Sequence, residues 1–356
     1  MVTLVDEEIQ NLTDEAVIER IKEHKARLGK ELLILAHNYQ RYEITELADY
    51  MGDSLAMAQR GKENKEAKHI VFCGVHFMAQ TSRVLAGPHQ HVYLPNHLAG
   101  CPLSDFADID QAETAWEEII EIIGEENIVP VAYINSTVLI KAICGKYGGT
   151  TVTSGNAEKV FKHYFDQGKR ILFLPDEHLG HNTSLKLGVS REEMHVYDPN
   201  QKNGGLTREQ IAGAQVLLWK GYCHVHTRFT PEMIQQMKQR YPDAIVIAHP
   251  ECPEPVVRAA DYAGSTHFIN DFVQKAEKGT TIIIATEINH VRNVAIRNPH
   301  VNIIELERSL CPNMFKINLK NLLFTLENLG NVNEVFVKDD VKHDSLLALE
   351  KMFSIV

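Results

Sequence analysis

The sequence has no Cys-x-x-Cys pair, no apolar run long enough to cross a bilayer and no excess of positive charge, and each absence removes a class of function. Six cysteines scattered along 356 residues do not make a disulfide framework. In a reducing compartment they stay thiols, available to a metal. The longest apolar stretches, such as ELLILA and TTIIIA, are strand-sized, well short of the roughly 20 residues that a membrane helix needs. The opening MVTLVDEEIQNLTDE carries acid where a signal peptide carries base ahead of an apolar run, so the expected location is the cytoplasm. A formal net charge of −11 leaves no footprint for nucleic acid or an anionic membrane. Anionic substrates would have to be held by local groups against that field.

What the chain does have is repetition. Short runs rich in Val, Ile and Leu alternate with amphipathic stretches of helical length, the pattern of parallel strands buried between helices. The class is therefore α/β. Three strands end in a polar or aromatic cluster: ELLILAHNYQ, NIVPVAYINST and DAIVIAHPEC. Each is followed by a small-residue segment that could open a helix (MGDSLAMA, TVTSGNAEKV, YAGSTHFIND), then by a second strand (HIVFCGVHFMAQ, RILFLPDEHLG, TIIIATEINHV). A third run in each case leads into a cysteine: HVYLPNHLAGC, AQVLLWKGYC and VNIIELERSLC. A recurrent order of this kind predicts three similar α/β domains, over residues 1–104, 105–225 and 226–314. REEMHVYDPNQKNGGLTREQ reads as an exposed loop and short helix inserted in the second domain, and the tail 315–356 as helical, packing back on the first.

Ligands of parallel sheets collect at the carboxyl ends of the strands. Each repeat thus offers a strand end, a helix N-terminus and a cysteine to one place, and three copies facing inward would bring Cys101, Cys223 and Cys311 together. A [4Fe–4S] cluster held by three thiolates instead of four keeps one iron open, as a Lewis acid requires. Dispersed cysteines are also commonly buried small hydrophobes. Cys73, inside IVFCGV, reads as core, Cys144 as a half-buried helical thiol and Cys252 as packing at a strand end. The strand-end pairs His37 and Tyr39, Tyr133 and Asn135, and His249 and Glu251 are each spaced by two, so the members of each pair share one face. Ser54, Ser154 and the pair Ser265–Thr266 lie where helices begin, either as ordinary N-caps or as anion donors for carboxylate and phosphate. His226, close to Cys223 in GYCHVH, could reach a substrate.

The strings LAHNYQ, GDSLAMA, GVHFMAQT, AGCPLSD, YINST, TSGNA, GYCHVH, HPECP, GST, ATEI and CPNM, in this order, resemble the quinolinate synthase family over nearly the whole chain. The resemblance implies three three-layer α/β/α domains with parallel sheets in pseudo-three-fold arrangement around a central cavity. It implies a [4Fe–4S] cluster on Cys101, Cys223 and Cys311, and condensation of iminoaspartate with dihydroxyacetone phosphate to quinolinate, phosphate and two waters in NAD biosynthesis. It also implies functional coupling to L-aspartate oxidase, and an active site lined by His37, Tyr39, Ser54, Tyr133, Asn135, Ser154, His226, His249, Glu251, Ser265 and Thr266. Gln80 departs from the glutamate that follows FMA in the family pattern, KAICGKYGGTTV is an unfamiliar route into TSGNA, and Cys311 lacks the neighbouring cysteines some relatives carry.

Among these residues His37, Tyr39 and Glu251 are the expected proton carriers, Glu251 foremost. Two other chemistries use the same residue types. A zinc hydrolase would draw on GYCHVH and HPEC, and an iron–sulfur electron carrier would need Cys252 or Cys73 as a fourth thiolate.

Overall fold

The computed structural model describes residues 5–355. Its thirteen strands form three sheets in which every pairing is parallel. The first contains β1 (Leu32–His37), β2 (Tyr50–Gly52), β3 (His69–Cys73) and β4 (His91–Tyr93), in the order β2-β1-β3-β4. The second contains β5 (Ile128–Tyr133), β6 (Thr150–Val152), β7 (Arg170–Leu174), β8 (Met194–Tyr197) and β9 (Val216–Trp219), ordered β6-β5-β7-β9-β8. The third, β11-β10-β12-β13, is built from β10 (Ile245–Ala248), β11 (Tyr262–Ala263), β12 (Thr281–Ala285) and β13 (Asn302–Glu305).

The order is the same each time, apart from β8. The first strand of each repeat pairs on one side with a short edge strand and on the other with the third strand, in the registers Leu32↔His69, Ile128↔Arg170 and Ile245↔Ile282. Central strands covered on both faces need apolar side chains throughout, which is why LLILAH and IVPVAY are buried at every position. Pro130 sits within inner strand β5, where a missing N–H is usually excluded. It lies one residue ahead of the point where β6 joins, at Val131↔Thr150. Gly149 passes so close that an added Cβ would stand 1.8 Å from the Pro130 carbonyl oxygen.

The stretch REEMHVYDPNQKNGGLTREQ, expected as an exposed loop and short helix, instead carries a fifth strand, β8, at Met194–Tyr197. MHVY has only Met194 and Tyr197 fully buried, and its polar flanks mask the strand. Tyr197 holds the strand in place, stacked on Trp219 with ring centroids 6.0 Å apart and donating from its hydroxyl to Glu118 at 2.5 Å.

The chain divides into two compact units. The first comprises residues 1–101, 287–297 and 310–338; the second comprises 102–286, 298–309 and 339–356. In the first unit the helix Asp14–Leu28, capped by the Thr13 hydroxyl accepting from Ala16 N, buries Val17 and Ile21 and packs against the helix Leu319–Glu327. The helix Ile288–Arg297 also belongs to this unit, where the Asn293 amide donates to Asn38 O at 3.3 Å and Gln40 O at 2.8 Å. The tail, expected to be helical and to pack on the first domain, divides. Leu319–Glu327 stays in the first unit, while Asp339–Ile355 packs on the helix Val138–Lys146 of the second.

That last packing depends on a glycine. A Cβ on Gly145 would lie 1.9 Å from the backbone oxygen of Asp344, so neither helix could keep its place. Ser345 Oγ donates to Val138 O at 2.7 Å and Thr150 Oγ1 to Ala348 O at 3.0 Å, which fixes the register of the contact. Gly145→Ala is expected to cost about 1–3 kcal/mol, the range of overpacking changes. A denaturant midpoint lowered at unchanged slope would show it. Gly213→Ala, where a Cβ meets nothing within 4 Å, is the control, with an expected change inside about 0.5 kcal/mol or a small gain.

Candidate active site

In the second unit, polar side chains from the carboxyl ends of three strands and one turn meet in a buried network. Tyr133 closes β5, His249 and Glu251 follow β10, Thr286 follows β12, and Cys223 and His226 lie on one tight turn after β9. The turn is set by the Cys223 carbonyl, which accepts from His226 N at 3.0 Å and Thr227 N at 3.1 Å. Glu251 is the centre of the network. Its Oε1 accepts from the Tyr133 hydroxyl at 2.5 Å and its Oε2 lies 3.0 Å from His226 Nδ1. The other ring nitrogen of His226 is 3.0 Å from Thr286 Oγ1. His249 stacks on His226, with centroids 4.5 Å apart and planes 19° from parallel. Relative exposures of 0% for His226 and 2% for both His249 and Glu251 put this network out of water.

Backbone geometry around Glu251 is held from outside. The Asn182 amide, on the helix Glu177–Lys186, donates to Pro250 O at 2.9 Å and Cys252 O at 2.8 Å. One side chain thus fixes the carbonyls on both sides of Glu251.

Electrostatics follow from the burial. Desolvation pushes the Glu251 carboxyl up, but the imidazoles of His226 and His249 and the hydrogen bonds from His226 and Tyr133 outweigh it and hold the group at about 2. Asp176, at the end of β7 and wholly buried, goes the other way. Burial comes first and the charge of Glu251 second in raising it well above the usual carboxylate range, against hydrogen bonds from Leu179 and His178 N. Its Oδ2 has no hydrogen-bond partner among the described residues. The two buried carboxyls are thus pushed in opposite directions, and the lowered one is the residue with partners on both oxygens.

Ser154, Ser265 and Thr266 lie in the same unit. An added Cβ on Gly155 would stand 3.3 Å from Ser265 Oγ, so the turn carrying Ser154 and the start of the helix Thr266–Lys275 are neighbours. Ser265 is the cap of that helix, accepting from Phe268 N at 3.2 Å. Asn135 is half-buried just beyond β5.

In the first unit, His37 ends β1 and takes a hydrogen bond from Tyr39 N at 3.1 Å, with the two rings edge to face at 4.8 Å. Ser54 opens the helix Ser54–Glu63 but does not cap it. Asp53 does, accepting from Leu55 N at 3.0 Å and Ala56 N at 2.8 Å. Cys101 and Cys311 are half-buried against the first core. Glu287, fully buried, accepts from Cys311 N at 3.3 Å, Asn289 N at 2.7 Å and His290 N at 3.3 Å. Burial raises its carboxyl to about 7 in spite of those donors.

None of the six cysteines forms a disulfide. Cys73, Cys144 and Cys252 are wholly buried and burial pushes their thiols up, to about 12 for Cys73 and Cys144 and well above the ordinary value for Cys252. Cys144, expected to be half-buried, is therefore core as well. Cys101, Cys223 and Cys311 alone keep partial exposure. As thiols with access, at the end of the last strand run of each repeat, they fit the donor chemistry of an iron–sulfur cluster. Cys223, His226 and Glu251 are a second possible metal group, with one ligand atom from each lying within 4.8 Å of the others.

Sequence reasoning did not single out Asp176, Asn182, Thr286 or Glu287. For two of them a signal was present. Asp176 and Glu287 stand at the same point of the second and third repeats, just after the third strand, and each accepts from the first free N–H groups of the next helix.

Residues 19–354 match the family described as quinolinate synthetase A protein. A quinolinate synthase of Corynebacterium glutamicum is 44% identical over 99% of this chain and 91% of its own length. Those of Halalkalibacterium halodurans and Bacillus anthracis are 44% and 42% identical, over 94% and 98% of this chain and 92% and 96% of theirs. The chain belongs to the quinolinate synthase family.

Proposed function

We propose that this enzyme condenses iminoaspartate with dihydroxyacetone phosphate to form quinolinate, phosphate and two waters, in NAD biosynthesis. The observation that carries the reading is the buried Glu251 with a hydroxyl and an imidazole on its two oxygens, in a chain of this family. The thiolates of Cys101, Cys223 and Cys311 would hold a [4Fe–4S] cluster. When bound, that cluster supplies an open iron that acts as a Lewis acid toward a departing hydroxyl. Cys73 and Cys252, the fourth ligands an electron carrier would require, are wholly buried, whereas Cys101, Cys223 and Cys311 keep partial exposure, which favours three ligands over four.

The chain's own groups divide the remaining work. Glu251 is anionic at rest, so it begins as a base, and Tyr133 and His226 carry the protons that pass to or from it. His37 and Tyr39 are further proton carriers in the first unit. Ser54, Ser154, Ser265 and Thr266, with Asn135 and His249, would bind the carboxylates and phosphate of the substrates through hydroxyls and helix N-terminal N–H groups. Holding both substrates converts the condensation into an effectively intramolecular step. A labile imine substrate favours functional coupling with an L-aspartate oxidase that makes it. Among the described residues no helix is long and apolar enough to cross a membrane, and the cytoplasm is the proposed location.

Three outcomes test this reading. Anaerobically purified protein is expected to contain about four irons and four sulfides per chain, the cluster's composition, with loss in Cys101→Ser, Cys223→Ser and Cys311→Ser alike. Zinc without sulfide, or indifference to those changes, would sink it. Glu251→Gln is expected to lower kcat by about 10²–10⁴, the size of a lost acid–base group, while iron and sulfide content is unchanged. Near-normal turnover would remove Glu251 from that role. Asn182→Ala, which frees the backbone around Glu251, is expected to lower kcat roughly tenfold with KM nearly unchanged, because a misplaced base weakens the transition state more than the bound substrate. Equal changes in both constants would mean that Asn182 does not position Glu251.

A further inference from the structure

Cys223, His226 and Glu251 bring together a thiol, an imidazole and a carboxylate, three of the donor types that zinc takes. The ligand atoms, within 4.8 Å of one another, are close to the separation of roughly 3.3–3.8 Å that zinc bonds of about 2.0–2.3 Å impose on a tetrahedron. Nδ1 of His226 and Oε2 of Glu251, 3.0 Å apart, are already nearer than that. Cys223, on the same turn as His226, is partly exposed, so small shifts that bring its sulfur to bonding distance meet little packing.

The surroundings are those of a metal ligand set. Zinc-bound histidines pass their other ring nitrogen to a fixed acceptor, and ligating carboxylates are themselves hydrogen-bonded. Here Nε2 of His226 faces Thr286 Oγ1 at 3.0 Å and Oε1 of Glu251 takes the Tyr133 hydroxyl at 2.5 Å. These outer partners leave Nδ1 and Oε2 turned toward each other with one proton between them. A divalent ion would replace that proton and the thiol proton. Thiolate, carboxylate and zinc then sum to no net charge in a site where His226 and Glu251 are almost wholly buried.

We propose that the cluster-free chain binds one zinc ion through Cys223 Sγ, His226 Nδ1 and Glu251, with water in the fourth position. Together with the proposed cluster, on which this consequence rests, zinc and cluster exclude one another, because both require Cys223. Zinc also removes Glu251 from proton transfer. The site is thus a point at which zinc holds the enzyme inactive and bars cluster assembly.

The test is titration of Zn²⁺ into full-length, reduced, cluster-free protein against a chromophoric chelator, with Co²⁺ as spectroscopic probe. One tight equivalent is expected, and Co²⁺ should show thiolate-to-metal charge transfer and the visible bands of a tetrahedral ion. Cys223→Ser and His226→Gln are expected to weaken binding at least a hundredfold, and Thr286→Val roughly tenfold, as for outer-shell partners. Cys101→Ser and Cys311→Ser are expected to leave affinity unchanged within about twofold, and thermal melts of all five variants identify any that fails to fold. Binding that survives Cys223→Ser in folded protein, or falls equally in all three cysteine variants, would overturn the site. The cluster reading fails separately, on the iron and sulfide content of the anaerobic wild type, and zinc binding dependent on Cys223 alone would stand without it.

Discussion

A single buried carboxylate organises the polar chemistry of the second unit. An isolated charge in a protein interior costs several kcal/mol even after relaxation, so Glu251 stays ionised only because its surroundings were built for it. Tyr133 and His226 occupy its two oxygens, His249 adds field from above the His226 ring, and Asn182 fixes the chain on either side. The dependence runs outward from there. Thr286 holds His226, the carboxyl ends of β5, β10 and β12 set the positions of Tyr133, His249 and Thr286, and their all-parallel registers put those ends on one side of their sheets. Asp176 shows the reverse effect. The same burial without counter-charges, next to the anion, raises its carboxyl well above the usual carboxylate range.

Much of this was legible because it follows period and order. Central strands with no solvent face must be apolar at every position, so LLILAH and IVPVAY announce themselves, and the switch to polar residues at their ends marks where chemistry is possible. Tyr133, His249 and Glu251 were found in this way. What escaped belongs to interactions that have no period. Asn182 lies on a helix far along the chain from the carbonyls it holds, and no local pattern distinguishes it from a surface amide. Met194–Tyr197 became a strand because Trp219 and Glu118 offered Tyr197 a stack and an acceptor, neither visible from four residues. The Asp53–Ser54 pair illustrates a finer limit. Both residue types cap helices well, and only the structure shows that Asp53 takes the role and leaves Ser54 as the buried first residue of its helix.

The tail shows how packing overrides chain proximity. Leu319–Glu327 and Asp339–Ile355 follow one another closely, yet they serve different units. The second finds its seat because Gly145 lacks a side chain where the backbone of Asp344 must pass. Apolar pattern alone predicts that such a helix docks; the place is decided by where a surface permits close approach.

The repeats are alike in strand order but not in the groups they carry. After the third strand, the second and third repeats place an acid that caps the next helix, Asp176 and Glu287, whereas the first has Gly74 and Val75 there and no side-chain cap. After the first strand, every repeat supplies an aromatic or imidazole group, but only the third adds a carboxylate. Buried carboxylates close to one another repel, and one stays ionised only where counter-charges and hydrogen-bond donors surround it. One acid, Glu251, has a hydroxyl and an imidazole on its two oxygens, while Asp176 and Glu287 accept from backbone N–H groups of the helices that follow them. The recurring strand order sets where each strand ends, and the side chains placed at those ends differ from repeat to repeat.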